Sequence, residues 1–294
     1  MKIVALLFSL FVLLWGGHQL YQKQTQFGLK AKFASPTFSP SPEWELPPLS
    51  SHEQVQVDAI LFQPFTFLAR GSQAFAFISE DQRYVLKLFK QHKWRPSHLL
   101  SYLPLSFNPY YKAYLLKQKK QHDVLHSCKT ALFHVKEDTG VLYAHLNPTP
   151  LNVPPVTLID KHGKLWKIDL SKSCFLLQKK ADLFYEHIAD LMNQMRVEEA
   201  KHAITSSIKL IDRFIDLGVY ENNAILRKNF GFINNEAMQF DIGKFKFDPS
   251  RVRDKREIRT VTKNFRKWVI THYPELQVHF DQTLDLYSPL EPAT

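Results

Sequence analysis

The stretch "KNFGFINNEAMQFDIGKF", Lys228–Phe245, decides the fold. Asn229 precedes the aromatic-glycine segment Phe230-Gly231-Phe232, and an apolar run then climbs to Asp241-Ile242-Gly243. The pattern predicts a hairpin with a lone Asn at one end and a lone Asp at the other. The spacing is 241 − 229, or 12 positions. Two readings are open. Asn229 and Asp241 are ligands of one magnesium ion, since an amide oxygen beside a carboxylate is a suitable hard donor set. Alternatively, they are a turn residue and a strand-end residue.

Upstream of this hairpin, "DLGVYENNAILRKN" is a polar loop offering Glu221 and Asn223. Before that loop, Leu183, Ile188, Leu191, Met195, Ala203, Ile204, Ile208, Ile211 and Phe214 recur at helical spacing. They predict two helices meeting near Arg196. Downstream, Ile258, Val261, Phe265 and Val269 form the stripe of a basic helix over about 250–272. That helix carries Arg251, Arg253, Lys255, Arg256, Arg259, Lys263, Arg266 and Lys267. Such a face suits anionic lipid or nucleic acid, yet no nucleic-acid motif accompanies it, and a solvated face is the reading taken.

Further towards the N-terminus, "VDAILFQPFTFLAR", "AFAFISE" and "YVLKLFK" read as strands. A helix with a basic face follows over 109–137, with Leu115, Val124, Leu125, Cys128, Leu132 and Val135 as its apolar positions. Then "GVLYAHL", "PVTLID", "KLWKIDL" and "CFLLQ" read as strands, with a hairpin turn at Asp160–Gly163. Strands first and helices later define an α+β chain of two lobes.

This order of elements resembles the protein-kinase-like fold over roughly residues 60–250, and three stretches carry the likeness. "FLARGSQAFAFISEDQRYVLKLFK" is similar to a kinase glycine-rich loop and its following strand, with Gly71 in the turn and Lys87 in V-L-K. Asp241-Ile242-Gly243 is similar to D-F-G, with Asn229 at the matching distance for the second metal ligand. "DLGVYENNAILRKN" stands where the H-R-D loop would be. The resemblance implies ATP and magnesium as cofactors. Gly71 and Lys87 would contact phosphate, Asn229 and Asp241 the metal, and Glu221 or Asn223 would stand in the catalytic loop.

The chain departs from that pattern in four places. Ala74 stands where a further loop glycine would be, and no aspartate occupies the general-base distance. Asn223 is the nearest match there, and an amide cannot take a proton. The helix at 109–137 has no central glutamate to pair with Lys87, only Asp123 and, at its end, Glu137. No A-P-E follows Gly243. A degenerate, pseudokinase-like scaffold is therefore expected. The alternatives are an active atypical Mg/ATP-dependent phosphotransferase acting on a small molecule, or a structural membrane-associated protein.

The 294 residues carry a net charge of +10 and 23 phenylalanines, enough apolar mass for a sizeable core and a bias towards anionic partners. Cys128 and Cys174 form no C-x-x-C pair, and two buried thiols are expected. His122 and His126 sit at i and i+4, a spacing that zinc proteases use, but no third ligand motif follows. Lys2 and the apolar run Ile3–Trp15 are read as a hydrophobic anchor helix, too short for a comfortable span. The expected division is 1–21 signal or anchor, 22–54 Pro/Ser-rich linker, 55–178 strand-rich N-lobe and 179–294 small helical C-lobe. The expected partner is a membrane, through the N-terminal segment, with a protein partner left open and nucleic acid not expected. The location is membrane-associated or exported.

Overall fold

The computed structural model describes residues 8–17, 40–94, 111–151, 153–222 and 224–289. The chain divides into two compact units. One comprises Met1–Asp81, Leu86–Gln118 and His145–Leu176; the other comprises Gln82–Val85, Lys119–Ala144 and Leu177–Thr294.

The first unit starts earlier than the proline-rich composition suggests. Trp44 is buried, and helix α1 (Ser51–Leu61) follows at once. Ser50 Oγ accepts from Glu53 N at 3.3 Å while Glu53 Oε2 accepts from Ser50 N at 3.1 Å. This reciprocal cap satisfies two orphan N–H groups and is worth about 1 kcal/mol. The last part of the expected linker is thus folded, and Val57–Leu61 is helical rather than extended. A capping box immediately before an apolar run overrides the local strand pattern.

Next come β1 (Phe65–Arg70), β2 (Ala74–Ser79) and β3 (Tyr84–Phe89). Strand β1 pairs antiparallel with β2, with a register shift between Phe67 and Ala69. It also pairs parallel with β5 (Val156–Ile159), which pairs antiparallel with β6 (Leu165–Ile168). The expected turn at Asp160–Gly163 joins these two: Asp160 Oδ1 accepts from His162 N and Lys164 N at 2.8 and 3.0 Å. With β4 (Val141–His145) and β7 (Phe175–Lys179), the seven-stranded order is β4-β7-β3-β2-β1-β5-β6. Phe65, Phe77, Leu86, Leu158 and Ile168 are buried in the first unit.

Helix α2 (Tyr111–His134) enters the second unit at Lys119. There it is followed by α3 (Lys136–Thr139), β8 (Asp182–Leu183), α4 (Phe184–Asn193), α5 (Val197–Leu217) and β9 (Val219–Tyr220). The expected break near Arg196 falls between α4 and α5. Then come α6 (Leu226–Asn229), β10 (Phe230–Ile233), β11 (Glu236–Gln239), β12 (Lys246–Phe247), α7 (Arg256–His272) and α8 (Gln277–Tyr287). The opening stretch is a hairpin, as read: Phe230 faces Gln239 and Ile233 faces Glu236. Asn234 and Asn235 turn it with φ of 50° and 65°, the left-handed pair that a two-residue hairpin turn requires. Gly231 is needed for a different reason. A Cβ there would lie 2.3 Å from Asp182 O, on the β8 strand that pairs with β10.

The core of this unit is aromatic. Phe184 stacks on Phe232 at 5.0 Å and meets Phe265 edge-on at 4.7 Å, and Phe265 meets Phe280 at 5.2 Å. Cys128 and Cys174 are buried thiols that form no disulfide with each other, one in each unit. The mixed strand and helix content fits the α+β class read from the sequence.

The expected anchor over 1–21 is described only over 8–17, which is helical, with Phe8, Leu13 and Leu14 exposed at 68%, 72% and 66%. Among the described residues no helix is long and apolar enough to cross a membrane. Residues 18–39, most of the expected linker, lie outside the described residues.

Candidate functional site

Short helix α6 ends at Asn229, and this residue ties both ends of the hairpin. Its backbone carbonyl accepts from Phe240 N at 2.9 Å and Asp241 N at 3.2 Å. Its side-chain Oδ1 accepts from Ile225 N at 3.0 Å, and its Nδ2 donates to Asp241 Oδ2 at 3.3 Å. The bond from Ile225 fixes the amide orientation, because a flipped amide would aim N–H at N–H. Asn229 is buried while Asp241 is exposed just beyond β11.

Glu221 follows β9, and its side chain is only 2% exposed. Gln239 Nε2 donates to Glu221 Oε2 at 2.7 Å, and Lys244 Nζ stands 3.7 Å from Oε1. Burial pushes the Glu221 carboxyl above the usual range, and the Asp241 charge adds to this; Lys244 and the Gln239 bond pull the other way. A carboxyl with a raised folded pKa contributes stability while protonated and loses it as pH rises through that pKa. Glu221→Gln should therefore raise the thermal midpoint at pH 7. The gain should shrink as pH falls from the raised pKa of folded Glu221 towards the ordinary carboxylate value, and vanish below it, because folded wild-type Glu221 is protonated first. A variant less stable than wild type at pH 7 would contradict this.

The turn that carries Asp241 is braced from two further elements. Ser127, buried on α2, donates through Oγ to Ile242 O and accepts from Phe245 N at 2.6 Å. Gln178, buried at the end of β7, donates to Phe240 O at 3.2 Å and to Thr139 O at 2.9 Å. Neither residue, nor Gln239, stands out in the sequence. The one signal is positional: Ser127 is polar within an apolar helix stripe, and Gln178 and Gln239 each follow an apolar strand residue. Asp216 sits on α5 and pairs with Lys255 at 2.6 Å, as its place on the preceding helix suggests. Asn223, the other catalytic-loop candidate, lies outside the described residues.

Gly71 and Lys87 belong to the first unit. Gly71 lies in the β1–β2 turn without a left-handed φ, and an added Cβ would approach Ala74 O at 3.4 Å, so the turn itself does not demand glycine. Lys87 is half-buried on β3. The lysine that closes this turn is Lys90, 2% exposed, whose ammonium donates to Gly71 O and lies 4.6 Å over the Phe75 ring. Lys93 Nζ adds a bond to Ser72 O at 2.8 Å. Lys90 lies just past the end of β3, three positions after Lys87.

The donors at Glu221, Asn229 and Asp241 are all oxygens, which fit magnesium rather than a soft metal. Asn229 Oδ1 keeps a second lone pair beside the one that Ile225 uses. Asp241 offers carboxylate oxygens just beyond β11. Among the described residues no group of three or more His, Cys, Asp and Glu could hold a metal ion. Magnesium needs fewer: one or two carboxylates suffice when phosphate and water complete the shell. His122 and His126 are exposed, with rings stacked at 6.0 Å.

No protein-family model and no curated protein matches the chain. Among solved structures it is similar to the bifunctional kinase-methyltransferase WbdD, at 13% identity and TM-score 0.37, over 75% of this chain and 44% of that one. It is also similar to Rv3197 from Mycobacterium tuberculosis, solved in complex with erythromycin, at 14% identity and TM-score 0.35, over 80% and 61%. The chain thus spans about half the length of these relatives. Likenesses of this size transfer no residue role, substrate or activity.

Proposed function

We propose that this chain is a divergent kinase-like protein that binds a magnesium–nucleotide complex, ATP by class, without transferring its phosphoryl group. The observation that carries this reading is the pairing of Asn229 with Asp241 at 3.3 Å, across twelve positions of sequence, beside the raised carboxyl of Glu221. Asp241 would hold the ion, with Asn229 Oδ1 as second ligand through the lone pair that Ile225 N leaves, and the ion would supply charge neutralisation for phosphate. Gly71 and Lys87 are assigned phosphate contacts by the resemblance alone. Degeneracy is supported by Glu221 itself: a side chain 2% exposed and bonded to Gln239 is out of reach of an acceptor hydroxyl. Membrane association is also part of the proposal, supported by the exposed apolar side chains of residues 8–17.

A second reading, an active small-molecule phosphotransferase, draws on one observation. Burial raises the Glu221 carboxyl above the ordinary range, the direction in which a carboxylate general base is tuned.

The test is the thermal midpoint of the full chain with and without ATP and magnesium, beside a phosphate-release assay. Ligand at 100 times its dissociation constant adds about 2.7 kcal/mol, or roughly 5–10 °C for a protein of this size. A shift lost in Asp241→Ala, without phosphate release, supports the proposal. Release that disappears in Glu221→Gln selects the second reading, and no shift at saturating nucleotide rejects both.

A further inference from the structure

The basic stripe read from the sequence is mostly committed to ion pairs. Arg251 pairs with Glu257, Lys255 with Asp212 and Asp216, Arg256 with Asp254, Arg259 with Asp285, and Arg266 with Asp281. Of the eight cations, Arg253, Lys263 and Lys267 have no such partner among the described residues. Lys263 and Lys267 stand one turn apart on α7 and line a cavity of about 760 Å³ formed with α8.

The geometry of this groove separates two kinds of cation. Arg266 gives both arms of its fork to Asp281, at 2.6 and 2.8 Å. Arg259 donates to Asp285 at 2.6 Å and to Ser288 O at 2.7 Å. Both acids of the groove are therefore taken up by arginines. The charge left over is that of two lysines at i and i+4, a like-charged pair that a shared anion would stabilise. The same cavity is lined by Ile270 and Leu284, so it has an apolar side as well. Its volume lies within the range of small-molecule sites and far exceeds one inorganic phosphate. Two uncommitted cations are too few for a nucleic acid, whose binding draws on six to ten phosphate contacts or so.

We propose that the α7–α8 groove binds a phosphate ester with an apolar body, Lys263 and Lys267 holding the phosphate and Ile270 and Leu284 lining the remainder. This site is separate from the Asn229–Asp241 pair and does not depend on it. The same chemistry is presented by a soluble alkyl phosphate and by a phosphatidate headgroup.

The test uses the full chain, with hexyl phosphate and inorganic phosphate as soluble probes, and phosphatidylcholine vesicles with and without phosphatidate. Hexyl phosphate should bind at least tenfold more tightly than inorganic phosphate. The double variant Lys263→Gln/Lys267→Gln should lose at least tenfold of that affinity at an unchanged thermal midpoint, and Asp241→Ala should bind as wild type does. If only the phosphatidate vesicles recruit the protein, and the double variant loses that recruitment, the ester is a lipid headgroup and the proposal stands. The proposal is overturned if the double variant binds either probe as wild type does, if inorganic phosphate binds as tightly as hexyl phosphate, or if neither ester binds. Residues 8–17 are the same in both proteins, so their affinity for vesicles cancels in the comparison.

Discussion

Phe265→Ala should lower the free energy of unfolding of the second unit by about 3–5 kcal/mol, the cost of removing a buried aromatic and leaving its cavity. Phe265 is 1% exposed and contacts four rings: Phe184 at 4.7 Å, Tyr185 at 5.6 Å, Phe280 at 5.2 Å and Trp268 at 6.1 Å. These rings come from α4, α7 and α8, so no single side chain can swing in to fill the space. Phe265→Leu, which keeps much of the volume, should cost well under half as much. Denaturant titration followed by tryptophan fluorescence reads both variants, because Trp268 lies within the cluster. A loss below 1 kcal/mol for Phe265→Ala would mean that the cluster is not the core.

Asn229→Leu comes second in size. The leucine fills the space but removes the acceptor of Ile225 N and the donor to Asp241 Oδ2. Both lost bonds are part-buried, and each is worth about 0.5–1.5 kcal/mol. Because the backbone carbonyl of residue 229 still holds Phe240 N and Asp241 N, the hairpin itself should persist. Amide exchange should therefore quicken at Ile225 and stay slow at Phe240. Quickening at both would show that the side chain, and not the carbonyl, ties the turn. Asn229→Asp restores the acceptor but sets a second carboxylate against Asp241, so it should remain less stable than wild type at neutral pH and approach it on acidification.

How far the sequence reaches can be judged element by element. The β10–β11 hairpin is legible because a strand alternation, a turn and a terminal Asp all agree within eighteen residues. The α4–α5 break and the strands β4 to β7 are legible for the same reason, a clean period bounded by breakers. Helix α1 is not, because Val57–Leu61 reads as strand until Ser50 and Glu53 are recognised as a cap. The candidate site divides in the same way. Asn229 and Asp241 stand out through spacing, and Glu221 through being the loop's carboxylate. Ser127, Gln178 and Gln239 do not stand out, because a buried polar residue is recognised only by the backbone group it meets, often far along the chain. Ser127 and Ile242 are 115 positions apart. Lys90 is hidden by its neighbour, since Lys87 fits the motif and Lys90 fits the fold.

Manganese can replace magnesium at an oxygen site and reports its own binding through the relaxation of water protons. Titrating the full chain with manganese at saturating ATP should reveal an enhancement beyond that of the manganese–ATP complex alone in wild type, retained in Lys263→Gln/Lys267→Gln and lost in both Asp241→Ala and Asn229→Leu. Relaxation enhancement that is absent from wild type, or that survives unchanged in Asp241→Ala, would show that the hairpin's amide and carboxylate do not hold a cation.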